Sequence, residues 1–164
     1  QLAILAKSEK GGKVNVTLAD GRYHKLLQDI GKSMDDLEAK HLVAVGGCIT
    51  SFRNTTDELM QLTANLSEAV QKRPNAFTPS AVSSLVLAFA SRKYEDDELT
   101  AFMISEAKKI INEAQCFDVI LLLDGLNRWG CFDRELVDQS VERLVDTLDR
   151  FTSRDVTHLL VYFF

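Results

Sequence analysis

The histidines and cysteines are the residues most suited to metal binding or nucleophilic catalysis, and their spacing supports neither. No histidine is followed by a second potential ligand at position i+4, as a pair of ligands on one helix face beginning with that histidine would require. The cysteines are odd in number and irregularly spaced, with no Cys-x-x-Cys pair, so neither a zinc site nor a disulfide framework is implied. These residues are His24, His41, His158, Cys48, Cys116 and Cys131.

Two further segments resemble ligand sites only superficially. Gly11-Gly12-Lys13 lacks both the upstream glycine and the following Ser or Thr of a phosphate-binding loop, so it is interpreted as a turn. The acidic run Glu95–Glu98 is explained by a helix N-terminus, where negative charge is favourable. We therefore expect no enzymatic activity, no metal, no cofactor and no small-molecule substrate.

Basic residues in short turns are the candidates for nucleic-acid contact. The net charge of −5 argues against a broad basic surface, because cations meeting phosphates supply non-specific affinity. Local charge can still differ, and a tryptophan could stack on a base. The RNA-contact candidates are Arg53, Arg92, Lys93, Arg128 and Trp129. A second basic row, Lys72-Arg73, Lys108-Lys109 and Arg143 or Arg150, is explained by helix C-termini.

The elements that would position these residues follow from an internal repeat. Phe77-Thr78 and Phe151-Thr152 begin two similar segments 74 residues apart, which is twice 37, and the intermediate copy begins near residue 114. Within a copy, Val82, Leu85, Val86 and Phe89 have helical spacing. Three positions in the repeat carry similar residues in successive copies, 37 residues apart. The first is Val45, Val82, Val119 and Val156, the second is Phe52, Phe89, Leu126 and Phe163, and the third, mostly small, is Ser51, Ala88, Gly125 and Tyr162.

A second helix follows the first in each copy after a polar turn. One such helix carries Leu99, Phe102, Met103, Ala107 and Ile110, and the next carries Leu136, Val137, Val141, Leu144 and Leu148. Thr78 is suited to capping the first helix and Pro79 to its first turn. The first residues are less regular, with the end of a helix over Leu2–Lys7, a loop at Lys10–Lys13 and a helix over Leu18–Ile30 interrupted near Gly21.

The pattern predicts an all-α fold, an α-solenoid of stacked antiparallel helix pairs repeating about every 37 residues. The predicted parts are an irregular helical repeat over 1–33, repeats over 34–76, 77–113 and 114–150, and the first helix of an incomplete repeat over 151–164, all in one continuous domain. Val119 and Leu122 are expected in the shared core. Both ends are apolar or incomplete, so we expect further repeats on either side.

The first helix of the repeat has the motif Phe-Thr-x-x-x-Val-x-x-Leu-Leu/Val-x-x-Phe, and its second helix begins with Asp/Arg-Glu-Leu. The repeat resembles the heptatricopeptide repeats of organellar RNA-binding proteins. These are similar to octotricopeptide and FAST-kinase-like arrays, which often end in a RAP domain. The resemblance covers roughly residues 34–164 and includes the pairs Asp118-Val119 and Asp155-Val156, whereas Ala81-Val82 and Ala44-Val45 lack the acid. No RAP-like segment is visible.

The resemblance implies a non-catalytic, mitochondrial, RNA-associated scaffold, either a component of an organellar ribosome or an RNA-processing factor. Its partners would be RNA, ribosomal in the first case, and neighbouring proteins of a large complex, with no membrane association. The alternative is a protein–protein adaptor that uses the solenoid surface without touching RNA.

Overall fold

The computed structural model describes residues 21–52 and 55–163, and this part of the chain is all-α with no strand. The predicted helix end at Leu2–Lys7, the predicted loop at Lys10–Lys13 and the start of the predicted Leu18–Ile30 helix lie outside the described residues. The α-helices are α1 (Gly21–Lys32), α2 (Ala39–Ser51), α3 (Asp57–Gln71), α4 (Pro79–Ser91), α5 (Asp97–Ile110), α6 (Cys116–Trp129), α7 (Arg134–Asp146) and α8 (Ser153–Phe163). Short 3-10 helices span Met34–Asp36, Ile111–Glu113 and Leu148–Arg150.

Side-chain caps explain where the helices begin. Thr78 accepts a hydrogen bond from the backbone N–H of Ala81, and Pro79 occupies the first turn of α4, which confirms the predicted cap. Asp96 and Asp133 cap α5 and α7 in the same way. The carboxylates of Asp118 and Asp155 accept from backbone N–H groups at the starts of α6 and α8. The acids of the Asp-Val pairs therefore stabilise helix starts.

The chain divides into two compact units, residues 1–74 and 75–164. In the first unit, α3 packs against both α1 and α2. Its core includes Tyr23, Leu42 and Ile49. A salt bridge of 2.8 Å from Lys72 Nζ to Asp35 Oδ2 links the end of α3 to the 3-10 helix that follows α1.

In the second unit, α4 packs against α5 and α6, α6 packs against α7 and α8, and α5 contacts α7. Val119 and Leu122 are buried in its core, as expected from the sequence. Gly125 allows α6 to approach α4 closely, since a Cβ built there would lie 2.8 Å from Val86 Cγ1 and 3.2 Å from the backbone nitrogen of Leu87. The small residue predicted at this position therefore permits the close helix contact.

None of the helices in the described part of the chain is both long and apolar enough to cross a membrane.

Candidate interaction surfaces

The turn after α4 holds two of the RNA-contact candidates, and they differ in accessibility. Arg92 is the C-cap residue of α4 and is only 8% exposed. Lys93 is exposed and has a left-handed backbone, with φ of 48°. Its N–H donates to the carbonyl of Ala90, and the N–H of Tyr94 donates to that of Phe89, so the turn closes the helix end. Arg53 lies outside the described residues.

Trp129, the aromatic candidate, is partly built into the core. Its indole Nε1–H donates to the carbonyl oxygen of Tyr94 at 2.7 Å. Its ring stacks on Phe89 with centroids 5.8 Å apart and an interplanar angle of 23°. The hydrogen bond brings the end of α6 beside the turn that follows α4. One face of the indole is therefore already covered by the protein's own aromatic ring.

Arg128 is paired with a carboxylate, although the sequence shows no acid immediately beside it. Its Nε lies 2.8 Å from Oδ1 of Asp124, one helical turn earlier, and Asp124 is buried. Residues four apart are neighbours on a helix, whereas adjacent residues point in different directions. The carboxylate that pairs with Arg128 is therefore on the same helix face and is not a neighbour in the sequence.

The second basic row binds the chain's own acids and carbonyls. Lys108 Nζ lies 3.0 Å from Asp133 and 2.7 Å from Glu135, which joins α5 to the start of α7. Arg143 Nε donates to the carbonyl of Ala114 at 2.9 Å. Similar bonds run from Lys72 to Asp35, from Arg73 to the carbonyls of Asp35 and Leu37, and from Lys109 to Asn75. Attraction to the helix dipole is thus only part of the reason why these cations lie near helix C-termini.

Two titration shifts reflect the junction between α5 and α7. The pKa of Asp133 is lowered chiefly because its carboxylate accepts a hydrogen bond from the backbone N–H of Leu136; burial opposes this shift, and the Lys108 ammonium adds to it. Hydrogen bonds to Glu135 and Asp133 raise the pKa of Lys108. Both shifts favour the charged forms of the pair.

Sequence reasoning missed a buried carboxylate. Glu106 is buried on α5, and its Oε2 accepts the backbone N–H of Asn75 at 2.7 Å. Its other oxygen pairs with Lys109, which also donates to the Asn75 side chain. Asn75 has φ of 60°, a conformation that asparagine tolerates better than most residues. This cluster fixes the segment that leads into α4, and a lone Glu in a helical pattern carries no signal of it.

Large apolar side chains are exposed on α7, on the 3-10 helix after it and on α8. We call the surface formed by Val141, Val145 and Leu148 the α7 outer face; these residues are 51%, 59% and 57% exposed. Val156 and Leu160 of α8 and Phe132 before α7 are exposed as well. The sequence placed Val141 and Leu148 on the apolar face of a helix but carried no signal of their exposure.

The remaining reactive groups form no centre in the described part of the chain. Burial raises the pKa of the Cys116 thiol to about 11, so this cysteine is poorly nucleophilic near neutral pH. No group of three His, Cys, Asp or Glu side chains among the described residues could hold a metal ion.

No protein-family model matches the chain, and no curated protein matches it significantly.

Proposed function

We propose that the chain is a non-catalytic helical-repeat scaffold whose direct partners are proteins. The observation that carries this proposal is the use of the basic side chains. Five side chains of the second basic row bond to the chain's own carboxylates, carbonyls and Asn75 side chain: Lys72, Arg73, Lys108, Lys109 and Arg143. Large apolar side chains, in contrast, face outward on α7 and α8. Exposed apolar residues at helical spacing are typical of protein–protein contact surfaces.

The scaffold we propose is an α-solenoid with a unit of about 37 residues. Its support in the second unit is the spacing of the helix starts: Pro79, Cys116 and Ser153 are 37 residues apart, as are Asp97 and Arg134. The 3-10 helices at Ile111 and Leu148 have the same interval. The contacts of α4 with α6, α6 with α8, and α5 with α7 have the pattern that stacking of helix pairs requires.

Direct RNA association is the second candidate, and one observation favours it. The hydrogen bond from Trp129 to the carbonyl of Tyr94 brings the end of α6 beside the turn that carries Lys93. An exposed lysine and a half-exposed arginine, Arg128, therefore belong to adjoining helix ends. The resemblance to heptatricopeptide arrays extends this candidate to an organellar ribonucleoprotein, such as a mitochondrial ribosome or an RNA-maturation complex.

Nuclease treatment separates the two candidates. The tagged protein is isolated from its native cells after gentle cross-linking, with and without ribonuclease, and the co-purifying proteins are quantified. If the partners are proteins, the cross-linked set is unchanged by ribonuclease, and little RNA is cross-linked to the chain itself. Loss of every partner on ribonuclease treatment, together with RNA cross-linked to the chain, would favour the RNA candidate.

The single tryptophan provides a direct test of the RNA candidate. Single-stranded RNA is titrated into the purified chain at low salt while the emission of Trp129 and the anisotropy of labelled RNA are followed. Stacking on a base would quench the emission, and phosphate contacts would make the binding salt-sensitive. We expect neither. Salt-sensitive binding that Lys93→Ala weakens, with unchanged helicity, would support the RNA candidate.

A further inference from the structure

We propose that the groove between α1 and α3 binds a lysine or arginine side chain that a partner protein presents in an extended segment. This inference rests on the proposed function, because it names the chemistry of a protein partner. The groove has a volume of about 280 Å³, and its lining residues all belong to these two helices. Sites for whole small molecules usually have about 300–1,000 Å³, so this groove is suited to one long side chain.

The groove runs between two helices of the first unit and does not depend on where the sequence ends. His24 Nδ1 lies 2.9 Å from Oε1 of Glu58, and a Cβ built on Gly31 would lie 2.6 Å from Nδ2 of Asn65. These two contacts show that α1 and α3 run parallel and stay close over two turns. A helix added before α1 by the repeat would lie on the side of α1 opposite α3, so it would leave the groove open.

The lining combines an apolar floor with polar walls. Leu27 and Leu62 are each 1% exposed and form the floor. A long basic side chain has the same division, because its methylene stem packs on apolar surface while its charged head needs polar partners. The walls carry three amides and two carboxylates and no cation: Gln28, Gln61, Asn65, Asp57 and Glu58.

Several oxygen atoms of the walls are available to a ligand. The side chains of Gln28 and Asp57 are exposed, and neither makes a hydrogen bond or ion pair within the described part of the chain. Gln61 Nε2 donates to Oδ1 of Asn65 at 3.0 Å, which leaves the Gln61 carbonyl oxygen as an acceptor. A carboxylate beside amide oxygens favours a cation with several N–H donors, as lysine and arginine provide.

The α5–α7 junction shows the same type of pairing within the chain. Lys108 Nζ of α5 lies 3.0 Å from Asp133 and 2.7 Å from Glu135, at the start of α7. The helix α3 begins with acids as well, but the residue 74 positions before Lys108 is Met34, which is buried. The first unit therefore has no lysine of its own at this position, and a partner's lysine or arginine would supply the missing cation.

The charged residues of α1 near the groove lie outside its lining. Lys25 and Lys32 are about one turn before and one turn after Gln28, and both are exposed. Neither makes an ion pair with the carboxylates of the groove. Asp29, also exposed, offsets one of the two charges. The lysines thus reduce the attraction for a cation without occupying the groove, so removal of Lys25 should tighten binding.

The test uses three short peptides with blocked termini that differ only in their central residue, which is lysine, norleucine or glutamate. Norleucine keeps a methylene stem and lacks the ammonium. Each peptide is titrated into the isotope-labelled full chain, and backbone amide resonances are followed by NMR. We expect the lysine peptide to bind with a millimolar Kd, because one side chain makes the contact, and to shift the resonances of groove residues. The other two peptides should bind at least about fivefold more weakly.

Three variants locate the site. Asp57→Asn should weaken binding of the lysine peptide at least about threefold, and Lys25→Gln should tighten it. The matched control is Glu68→Gln, which removes an exposed carboxylate of α3 outside the groove and should leave the Kd unchanged. All altered side chains are exposed, so the helical circular dichroism should not change.

Four results would overturn the proposal. The first is the absence of saturable shifts with the lysine peptide, and the second is equal binding of the lysine and norleucine peptides. The third is equal weakening by Asp57→Asn and Glu68→Gln, which would indicate general attraction to an acidic protein. The fourth is a set of shifts confined to helices other than α1 and α3. All four would leave the ribonuclease-resistant protein partners untouched, so failure of the groove is distinguishable from failure of the scaffold proposal.

Discussion

The helix pair α4 and α5 and the pair α6 and α7 have matching helix starts, yet they differ in what covers them. The first pair is contacted by the second, through α6 on α4 and α7 on α5. On the second pair, α8 contacts α6, but Val141, Val145 and Leu148 of α7 and its 3-10 extension stay exposed. The residue at the start of the 3-10 helix is therefore buried in the first pair, at Ile111, and exposed in the second, at Leu148.

This difference shows that exposure depends on the neighbouring helices and is not a property of the residue type. Ile111 and Leu148 are both large and aliphatic and occupy equivalent 3-10 helices, but only Ile111 is covered. Lys108, whose equivalent on α7 is Val145, bonds to acids of α7. The covered pair combines apolar packing with ion pairs, and the outer pair presents apolar and acidic groups that have no such partner among the described residues.

The sharpest test of this comparison places the same charge at the two equivalent positions. Ile111→Asp should destabilise the second unit by about 4 kcal/mol, because an unpaired carboxylate enters a buried apolar site. Leu148→Asp is the matched control and should change the stability by less than about 1 kcal/mol, since that side chain is already exposed. Urea unfolding followed by circular dichroism measures both. Equal destabilisation by the two substitutions would contradict the comparison.

The junction of the two pairs is tested at Gly125. Gly125→Ala should lower the free energy of unfolding by about 1–3 kcal/mol, because the new methyl group meets Val86 and the backbone of Leu87. This loss exceeds the gain of about 1 kcal/mol that alanine brings to a helix interior.

Gly47→Ala in α2 is the control, since a Cβ there meets nothing within 4 Å. This substitution should leave the free energy of unfolding unchanged or raise it by up to about 1 kcal/mol. Thermal unfolding of the two variants and the wild type decides the matter. A Gly125→Ala protein that is as stable as Gly47→Ala would mean that α4 and α6 do not meet closely at this position.

Much of the local structure could be predicted from the sequence, because it depends on residues close together in the chain. The cap at Thr78 and the helical spacing of Val82, Leu85 and Val86 need only the local pattern. The small residue at Gly125 was predictable from the repeat, since the column of small residues indicates close packing even when the neighbouring helix is unknown.

The interaction surfaces were less predictable, because they depend on contacts between distant residues. Nothing local shows that the Lys108 ammonium reaches Asp133, 25 residues away, or that the Trp129 indole reaches the carbonyl of Tyr94. The basic RNA-contact candidates were predicted from their position in turns, where side chains are usually exposed, yet Arg92 is buried. Arg128 and Asp124 were within reach of sequence reasoning, since a helix brings residues four apart together.

The ends of α4 and α6 allow a smaller test. Lys93 has a left-handed backbone, and the residue 37 positions later is Gly130, with φ of 77°. Glycine adopts this conformation without the steric penalty of a Cβ, so Lys93→Gly should raise the stability by about 0.5–1 kcal/mol. Thermal unfolding measures the gain, and Lys93→Ala, which removes the charge but keeps the Cβ, is the control. If Lys93→Gly is no more stable than Lys93→Ala, then the backbone of Lys93 is not strained.

The smallest expected effect concerns the charge at the junction of α5 and α7. Asp133 caps α7 and pairs with Lys108, and its pKa is lowered in the folded protein. A lowered folded-state pKa gives stability that is present above the unfolded-state value of about 3.9 and is lost as the pH falls through the folded-state value. Asp133→Asn keeps a good capping side chain and removes only the charge.

The variant should therefore melt below the wild type near neutral pH, by less than about 3 °C, and the gap between them should close as the pH falls below about 4. Differential scanning calorimetry of both proteins from about pH 7 to about pH 3 measures the gap. A gap that stays constant or widens in acid would show that the Asp133 carboxylate does not stabilise the contact between the two helix pairs through its charge. Val145 occupies the position on α7 that Lys108 occupies on α5, so we expect no corresponding pH-dependent contribution to stability from the α7 outer face.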